Sequence, residues 1–270
     1  MKHKKISLII AVALLLCLVI AMIGCTATTE RGVVSMLKQL PENTNNFNFT
    51  DYKAVLSPSE QEGMSSYFES QYGIYFNDFD YAISCYDDGD YCEIFSGDFD
   101  LSKTRNNLES LGYNKGEYKG IELWESESKS VALKKNLAIL GGEDSVRNSI
   151  EVIKGERKSL WDNQDIKDLV DRLPDATSIE SSLYGSGEGV SIYFGGEAFR
   201  CYGQGISMEM TDEENMKITW VYIFNDEDTT HNAVEKMEEE AKPEELVSYD
   251  IYQDGRFMIV TVEGPAKALW

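Results

Sequence analysis

The feature that most constrains this chain is a segment that occurs twice, once in each half. Val33–Thr44 reads VVSMLKQLPENT, and Ile166–Thr177 reads IKDLVDRLPDAT. In both copies apolar residues recur at helical spacing, and a leucine–proline pair follows. Because proline cannot continue a helix, each copy predicts an amphipathic helix that ends just before it. The repeat indicates that the two halves fold as related units.

The segments that follow each copy also correspond. In the first half, two β-prone runs flank Asp88-Gly89, which predicts a tight hairpin turn. The predicted elements of this half are strands near 79–86, 91–96, 118–125, 130–134 and 137–141, and helices near 101–111 and 144–154. Those of the second half are strands near 206–210, 216–224, 247–252 and 257–262, and a helix near 229–241. Both halves therefore contain the order strand–strand–helix–strand–strand.

Short antiparallel strands with few helices between them are typical of the α+β class. We predict two related antiparallel-sheet units, with the helices packed on one face of each sheet. The predicted organisation is a signal peptide over 1–24, a tether and short helix over 25–45, a first α+β unit over 46–160 and a second over 161–270. The apolar content of 42% is that of an ordinary globular protein, so a packed core is expected.

The charge of the chain excludes one class of partner. Asp and Glu number 47 against 25 Lys and Arg, which gives a net charge of −22. A nucleic-acid partner is therefore not expected, because such binding requires clustered basic residues. The chain has two histidines, His3 and His231, which disfavours a His-built metal site or a Ser–His triad. His231 is interpreted as an exposed residue in the first turn of a helix, and no metal or cofactor is predicted.

The N-terminus predicts export from the cytoplasm. Lys2, Lys4 and Lys5 precede the uncharged run Ile6–Ile23. A run of this length is long for a signal-peptide core and close to that of a membrane-spanning helix. A cleaved signal and an uncleaved signal anchor are therefore both open. Either places the folded part outside the cytoplasm, because the positive charges stay inside.

The end of this run has a recognisable motif. Met22-Ile23-Gly24-Cys25 resembles the lipobox of prokaryotic lipoproteins, although Met22 stands where leucine is usual. The resemblance implies cleavage before Cys25, lipidation of that cysteine and attachment to the cell membrane. The two-unit layout is also similar to that of uncharacterised prokaryotic envelope lipoproteins, a similarity that implies a location and no mechanism.

The remaining cysteines suggest one disulfide. With a two-residue turn at Asp88-Gly89, Cys85 faces Cys92 across the hairpin. Directly opposed strand positions lie within disulfide range. In an oxidising compartment a disulfide is favoured over two thiols. Cys201 then stays odd and is interpreted as a buried thiol.

Three other patterns leave a ligand site undetermined. Aromatic residues crowd the segment 67–81, where they fit either core packing or an exposed platform for sugars. The acidic residues near Gly89 do not match a calcium-binding EF-hand, which requires a glutamate where Phe95 stands. The glycines at 185, 187 and 189 precede a strand pattern rather than a helix, so a dinucleotide loop is not predicted.

Together these patterns favour a non-enzymatic protein. The leading hypothesis is a membrane-anchored extracytoplasmic lipoprotein with a binding or scaffold role, whose partner is an envelope protein or a glycan. The alternatives are an envelope hydrolase that uses paired carboxylates and a carrier of an apolar ligand. Convergent acids in a cleft would indicate the hydrolase, and a large apolar cavity would indicate the carrier.

Overall fold

Antiparallel strands form most of the protein. The structure is a computed structural model, and it describes residues 31–55, 68–70, 72, 74–75, 78–87, 90–184, 189–212, 214–240 and 247–269. The strands are β1 (Asn46–Asp51), β2 (Phe79–Asp87), β3 (Asp90–Gly97), β4 (Asn114–Tyr118), β5 (Ile121–Glu125), β6 (Ser130–Lys134), β7 (Leu137–Gly141), β8 (Ser178–Leu183), β9 (Val190–Phe194), β10 (Glu197–Met210), β11 (Asn215–Phe224), β12 (Ser248–Asp254) and β13 (Phe257–Pro265).

Helices lie between and beside these strands. They are α1 (Gly32–Leu37), α2 (Tyr52–Val55), α3 (Leu101–Ser110), α4 (Glu143–Ile153), α5 (Gln164–Arg172), α6 (Glu227–Glu240) and α7 (Ala266–Leu269), with a short 3-10 helix at Leu160–Asp162. The predicted α+β class is confirmed, with antiparallel pairing between neighbouring strands.

The strands of both predicted units lie in one continuous sheet. Its order is β12-β13-β11-β10-β8-β1-β2-β3-β7-β6-β5-β4, and β9 pairs with β10 off this path. The first half contributes one side of the sheet and the second half the other, and they meet where β1 pairs with β8. Residues 32–270 accordingly pack as one compact unit.

The sheet is covered on both faces, so the prediction that helices pack on one face was wrong. Consecutive residues of a strand point to opposite faces, and in β2 both Ala82 and Ile83 are buried. A central strand that is apolar on both faces needs cover on both. Ile83 belongs to an inner core beneath α1, α4 and α5, and this core extends across both halves.

The other face carries two separate outer cores. The first lies over the first half and includes Leu108 of α3, and the second lies over the second half and includes Ala233 and Val234 of α6. Between them the outward side chains of β1 and β8 are polar. The fold therefore leaves a polar strip in the middle of the outer face, flanked by two apolar clusters.

On the inner face of the second half, α5 lies close against β10. A Cβ atom added to Gly205 in β10 would lie 2.5 Å from Leu169 Cδ2 and 2.9 Å from Leu173 Cδ1. Both leucines belong to the second copy of the repeated segment, which forms α5 as its apolar spacing predicts. The missing side chain lets α5 lie directly on the strand backbone.

Most predicted elements are present, although their bounds differ and several short elements were not predicted. The strand predicted near 118–125 begins only at Ile121, as β5, because Lys119 and Gly120 adopt positive φ angles of 51° and 76° and turn the chain between it and β4. Strands β1 and β8 have no counterpart among the sequence predictions. Their alternation of polar and apolar residues is short, over six residues in each strand.

The N-terminal predictions lie outside the described residues. Residues 1–30, and with them the predicted signal peptide and lipidation site at Cys25, are not described. Within the described part of the chain, no helix has the length and apolar character needed to cross a bilayer.

The hairpin register around Asp88-Gly89 is confirmed. Cys85 pairs directly with Cys92 across β2 and β3, and both side chains are buried. In the structure they are separate thiols rather than a disulfide. Cys92 Sγ lies 3.5 Å from Ser149 Oγ of α4. The geometry therefore brings the predicted partners together, and the bond itself stays a prediction.

We expect Cys85 and Cys92 to be joined in protein recovered from an oxidising compartment, with Cys201 reduced. The reason is the direct opposition of the two cysteines, and closing so short a loop stabilises the fold by about 2–3 kcal/mol on the chain-entropy model. Peptide mapping under non-reducing conditions measures the pairing, with Cys201→Ser as the control that keeps it. A bridge from Cys201 to either residue would contradict the prediction.

Candidate functional site

A row of polar side chains crosses the middle of the outer face. The strand registers place Glu93 of β3 beside Ser84 of β2, Ser84 beside Asn48 of β1, and Asn48 beside Glu180 of β8. We call these four residues the central row. Asn48 Nδ2 donates a hydrogen bond of 2.7 Å to Glu180 Oε1. The row runs from the edge of the first outer core across the junction of the two halves.

Glu93 is the member of this row with an unusual environment. In β3, Cys92 and Ile94 face the inner core, so Glu93 and Phe95 face outward. Because β3 lies between β2 and β7 inside the sheet, Glu93 is partly buried and pairs with Leu140 of β7. The Tyr91 hydroxyl donates a hydrogen bond to Glu93 Oε2. Glu93 is thus an acid on a strand face that is otherwise apolar on this side.

Burial raises the pKa of Glu93 to about 7, and the hydrogen bond from Tyr91 partly opposes that rise. Desolvation raises a carboxyl pKa because it disfavours the charged form. No Lys, Arg or His of the described residues forms an ion pair with Glu93. A partly buried carboxyl without a cation is uncommon in proteins, since an unpaired charge is costly to bury.

Tyr91 bonds to this carboxyl, Tyr52 lies close enough to be affected by its charge, and Tyr86 packs against Tyr91. Burial, and secondly the charge of Glu93, raises the pKa of Tyr52 and of Tyr91, so both hydroxyls stay protonated. The Tyr86 ring packs against that of Tyr91 at a centroid distance of 5.0 Å and keeps 60% of its surface exposed. We call Glu93 with Tyr52, Tyr86 and Tyr91 the Glu93 site.

The Glu93 site combines groups that attract cations. A carboxylate attracts an ammonium or guanidinium group, and tyrosine rings add cation–π attraction. Glu180, the other carboxyl of the central row, lies three strands away. At about 4.8 Å for each strand spacing, the two acids are about 14 Å apart. Carboxyl pairs in glycoside hydrolases lie roughly 5–10 Å apart, so these two do not match that geometry.

The structure places His231 away from this site. It lies on α6 with an exposed side chain, and its Nε2 is 3.4 Å from Glu235 Oε1 one turn along the helix. No nucleophile is brought to it by the contacts of the described residues. Its side chain is exposed, as predicted, but α6 begins at Glu227, so His231 lies just after the first turn in which it was predicted.

The aromatic and acidic segments have structural positions. Phe68, Tyr72 and Phe79 are buried in the first outer core, which fits packing, while Tyr67 and Phe76 lie outside the described residues. Other members of the acidic run include Asp100, which caps α3 by accepting hydrogen bonds from the backbone of Ser102 and Lys103. The side chains of Asp87, Asp88 and Asp90 also lie outside the described residues.

The remaining candidates supply no second site. Burial raises the pKa of Cys201, whose thiol donates a hydrogen bond of 3.0 Å to the Gly203 carbonyl. Such a thiol is a weak nucleophile. Residues 185–188 of the glycine-rich segment lie outside the described residues. Within the described ranges, no group of His, Cys, Asp and Glu side chains is arranged to hold a metal ion.

Three surface pockets in the described part of the chain have mixed linings. One of about 540 Å³ lies beside Arg105, Glu109 and Trp124, and one of about 310 Å³ lies beside Lys134, Lys135 and Leu137. A third, of about 240 Å³, has the following lining: Asn45, Asn163, Asp165, Leu183, Tyr202, Asn225 and Arg256. Each of the three combines charged or amide groups with apolar or aromatic side chains.

Glu93 was not singled out by the sequence interpretation. A signal was present, because Glu93 interrupts the β-prone run Tyr91–Phe95 between two apolar residues. In an edge strand or a one-sided sheet that position would face solvent. Its burial depends on β7 pairing along β3, which the local sequence does not encode.

Two known proteins are similar in sequence to this chain, and both are uncharacterised. The chain is 26% identical over 296 residues to the uncharacterised protein MJ0635 of Methanocaldococcus jannaschii, covering 100% of this chain and 99% of that protein. It is also 26% identical over 245 residues to MJ1281 of the same organism, covering 87% of this chain and 22% of that protein. No protein-family model matches the chain.

Solved structures show the same overall fold. Crystal form IV of TP0453 superposes with a TM-score of 0.53 at 9% identity, covering 87% of this chain and 94% of that one. Crystal form III gives a TM-score of 0.51 at 10% identity, covering 87% and 95%. At such low identity the similarity concerns the fold alone.

Replacing Glu93 with glutamine should change how stability depends on pH. The folded-state pKa of about 7 exceeds the ordinary value of 4.5, so the folded protein binds an extra proton between these values. Stability contributed by this group is present below about pH 4.5 and is lost as the pH rises through 7. Relative to Glu93→Gln, the wild-type free energy of unfolding should fall by about 1–3 kcal/mol across this range, after allowance for partial exposure.

Urea unfolding of both proteins at about pH 5 and about pH 8 measures this difference. Glu180→Gln is the matched control, because it removes an exposed carboxyl from the same row and should follow the wild-type pH dependence. Parallel curves for the wild type and Glu93→Gln would contradict the assigned environment of Glu93.

Proposed function

We propose that this protein is an extracytoplasmic lipoprotein, anchored to the cell membrane through Cys25, whose folded part binds a cationic ligand without catalysis. The observation that carries the proposal is Glu93, a partly buried carboxyl beside three tyrosines and without a cationic partner among the described residues. The expected ligand class is an ammonium or guanidinium group, either on a small molecule or on an envelope protein. A glycan that carries an amino group belongs to the same ligand class, because its ammonium group would bind the carboxylate.

The proposed location is supported by the N-terminal sequence. Three lysines, an uncharged run and Gly24-Cys25 occur in the order of a lipoprotein signal. The acidic composition of the rest of the chain suits a domain held close to anionic headgroups without adhering to them. Lipidation at Cys25 would then fix the folded part near the membrane while its surface stays hydrated.

A binding role is favoured over the two alternatives on geometric grounds. The two carboxyls of the central row are about 14 Å apart, which exceeds the separation that glycoside hydrolysis requires. Each of the three pockets given above includes charged or amide side chains, which an apolar ligand would have to desolvate. The Glu93 site instead presents one charge and several aromatic rings, an arrangement suited to recognition.

We further propose that the two halves are related units joined edge to edge, through the pairing of β1 with β8. The order of strands from β8 outward (β8, β10, β11, β13, β12) matches that from β1 outward (β1, β2, β3, β7, β6), with β5 and β4 added to the first half. The Asn48–Glu180 pair lies where the two orders meet. On this interpretation the Glu93 site belongs to the first unit alone, because the corresponding face of the second unit is apolar.

The anchoring prediction concerns the full chain expressed in a prokaryotic host. Protein extracted from membranes should begin at Cys25 and carry the additional mass of attached lipid, because Gly24-Cys25 provides the processing site. Intact-mass measurement checks this, and Cys25→Ser should abolish both the cleavage and the added mass. Recovery of an unlipidated chain that retains residues 1–24 would instead indicate an uncleaved signal anchor.

The ligand prediction uses n-butylammonium as the probe and 1-butanol as its neutral counterpart. Calorimetric titration at low salt should detect the ammonium and not the alcohol. Binding should strengthen roughly tenfold between about pH 6 and pH 8, because the Glu93 carboxylate forms over this range. Glu93→Gln should weaken binding by about tenfold or more, the worth of one charge-assisted hydrogen bond.

Glu180→Gln again serves as the control and should bind the ammonium as the wild type does. Equal weakening by the two variants would show that general surface charge, rather than the Glu93 site, attracts the probe. Binding that is independent of pH would likewise remove Glu93 as the recognising group.

A further inference from the structure

A two-stranded arm extends from the middle of the sheet. β9 pairs with Glu197–Cys201, the first part of β10, and β11 pairs with β10 from Cys201 onward. β8 pairs with a later part of β10, beginning at Gly203. The arm consists of β9 and the first part of β10, and it extends beyond the ends of β8 and β11. Its outer strand is β9. Among the described residues, no strand pairs with the other edge of β9.

The turn of the arm determines which backbone groups face this open edge. Gly195 and Gly196 form a two-residue turn with φ angles of 58° and 77°, and Phe194 pairs with Glu197 across it. In such a hairpin the pair flanking the turn exchanges hydrogen bonds, and every second pair does so. The N–H and C=O groups of Phe194, Ile192 and Val190 are thus directed to β10. Those of Ser191 and Tyr193 point to the open edge.

The β9 edge lacks the features that protect the other two edges of the sheet. β9 reads VSIYF, with no charge and no proline, whereas β4 contains Lys115 and Glu117 and β12 contains two aspartates. Charged residues on an edge strand discourage pairing with another chain. Tyr193 is 69% exposed and Val190 is 37% exposed. An uncharged, β-prone edge with exposed apolar side chains is a template for an added strand.

The charge beside this edge indicates which strand it accepts. On the face where α6 packs against the arm, the side chains of Glu197 and Glu239 are 60% and 65% exposed. One cation, Lys236, lies between these two carboxylates, at 3.4 Å from Glu197 Oε1 and 2.9 Å from Glu239 Oε2. Arg200 of β10 pairs with Ser191 on the opposite face, so the excess of negative charge is on the α6 face, where α6 itself carries six acidic residues and one lysine.

A second copy of this chain is a poor occupant for that reason. Edge-to-edge pairing of two β9 strands would bring two acidic α6 helices together in a protein whose net charge is already −22. Like charges placed opposite one another weaken an interface, and opposite charges strengthen it. Every second side chain of an added strand lies on the α6 face, so basic residues at alternate positions lie on the same side as Glu197 and Glu239.

We propose that the β9 edge is a docking site for an extended segment of another protein, which adds as an antiparallel strand and carries Lys or Arg at alternate positions. Backbone hydrogen bonds to Ser191 and Tyr193 provide the pairing, and the glutamates beside α6 provide the preference for basic residues. This site is on the second half of the sheet and does not depend on the Glu93 site.

The test uses the full chain in detergent and a fluorescent peptide that alternates lysine with valine. Ser191→Pro removes an outward N–H while leaving the hydrogen bonds between β9 and β10 in place. It should weaken peptide binding by roughly tenfold, since each lost backbone hydrogen bond and the accompanying strand misfit cost about 1–1.5 kcal/mol. Ser191→Ala keeps the N–H and should bind as the wild type does. Fluorescence anisotropy measures the affinity.

Two further measurements test whether β9 pairs with the peptide and whether basic residues are preferred. Tyr193→Pro should act as Ser191→Pro does, and the thermal midpoints of both variants should stay near that of the wild type, which separates lost docking from lost folding. A peptide that alternates glutamate with valine should not bind. Equal binding to the alanine and proline variants, equal binding of the acidic peptide, or a wild-type dimer that Ser191→Pro dissociates would each overturn the proposal.

Discussion

The pairing of β1 with β8 is the interaction on which the rest of the structure depends. Residues 46–50 pair with residues 178–182, and the ladder is extended at its ends by Leu183 N–H to the Asn45 carbonyl at 2.7 Å and Asp51 N–H to the Thr177 carbonyl at 2.8 Å. Because this one pair joins the two halves, the inner core beneath α1, α4 and α5 is continuous across them. Each half therefore has an inner face that the other helps to bury.

The same junction explains why the outer face contains a polar strip. Helices α3 and α6 cover the two halves separately, so nothing apolar is needed over β1 and β8 between them. Asn48 and Glu180 can face outward there and bond to each other. Glu93 lies at the border between this strip and the first outer core, where a carboxyl is partly desolvated. Groups kept in such costly environments commonly mark functional sites.

The negative charge of the protein favours a cationic partner at both proposed sites. The net charge of −22 opposes association of like copies and favours cationic partners. At the proposed Glu93 site, one carboxyl and the tyrosine rings beside it would recognise such a cation. At the β9 edge, the backbone provides pairing, and carboxylates around α6 select a basic strand. One composition thus supports a small cationic ligand and a larger basic partner at separate places.

Signals within a few residues of sequence specified several local elements, whereas contacts between distant segments determined how these elements join and what they bury. The Asp88-Gly89 turn signal predicted the Cys85–Cys92 register, and the spacing of Ile166, Leu169 and Val170 predicted α5, because both signals act within a few residues. β1 and β8 are short, and their Asn48–Glu180 contact spans 132 residues, so no local pattern specified it. The burial of Glu93 likewise follows from the distant strand β7 beside β3, since desolvation depends on neighbours that only the folded chain provides.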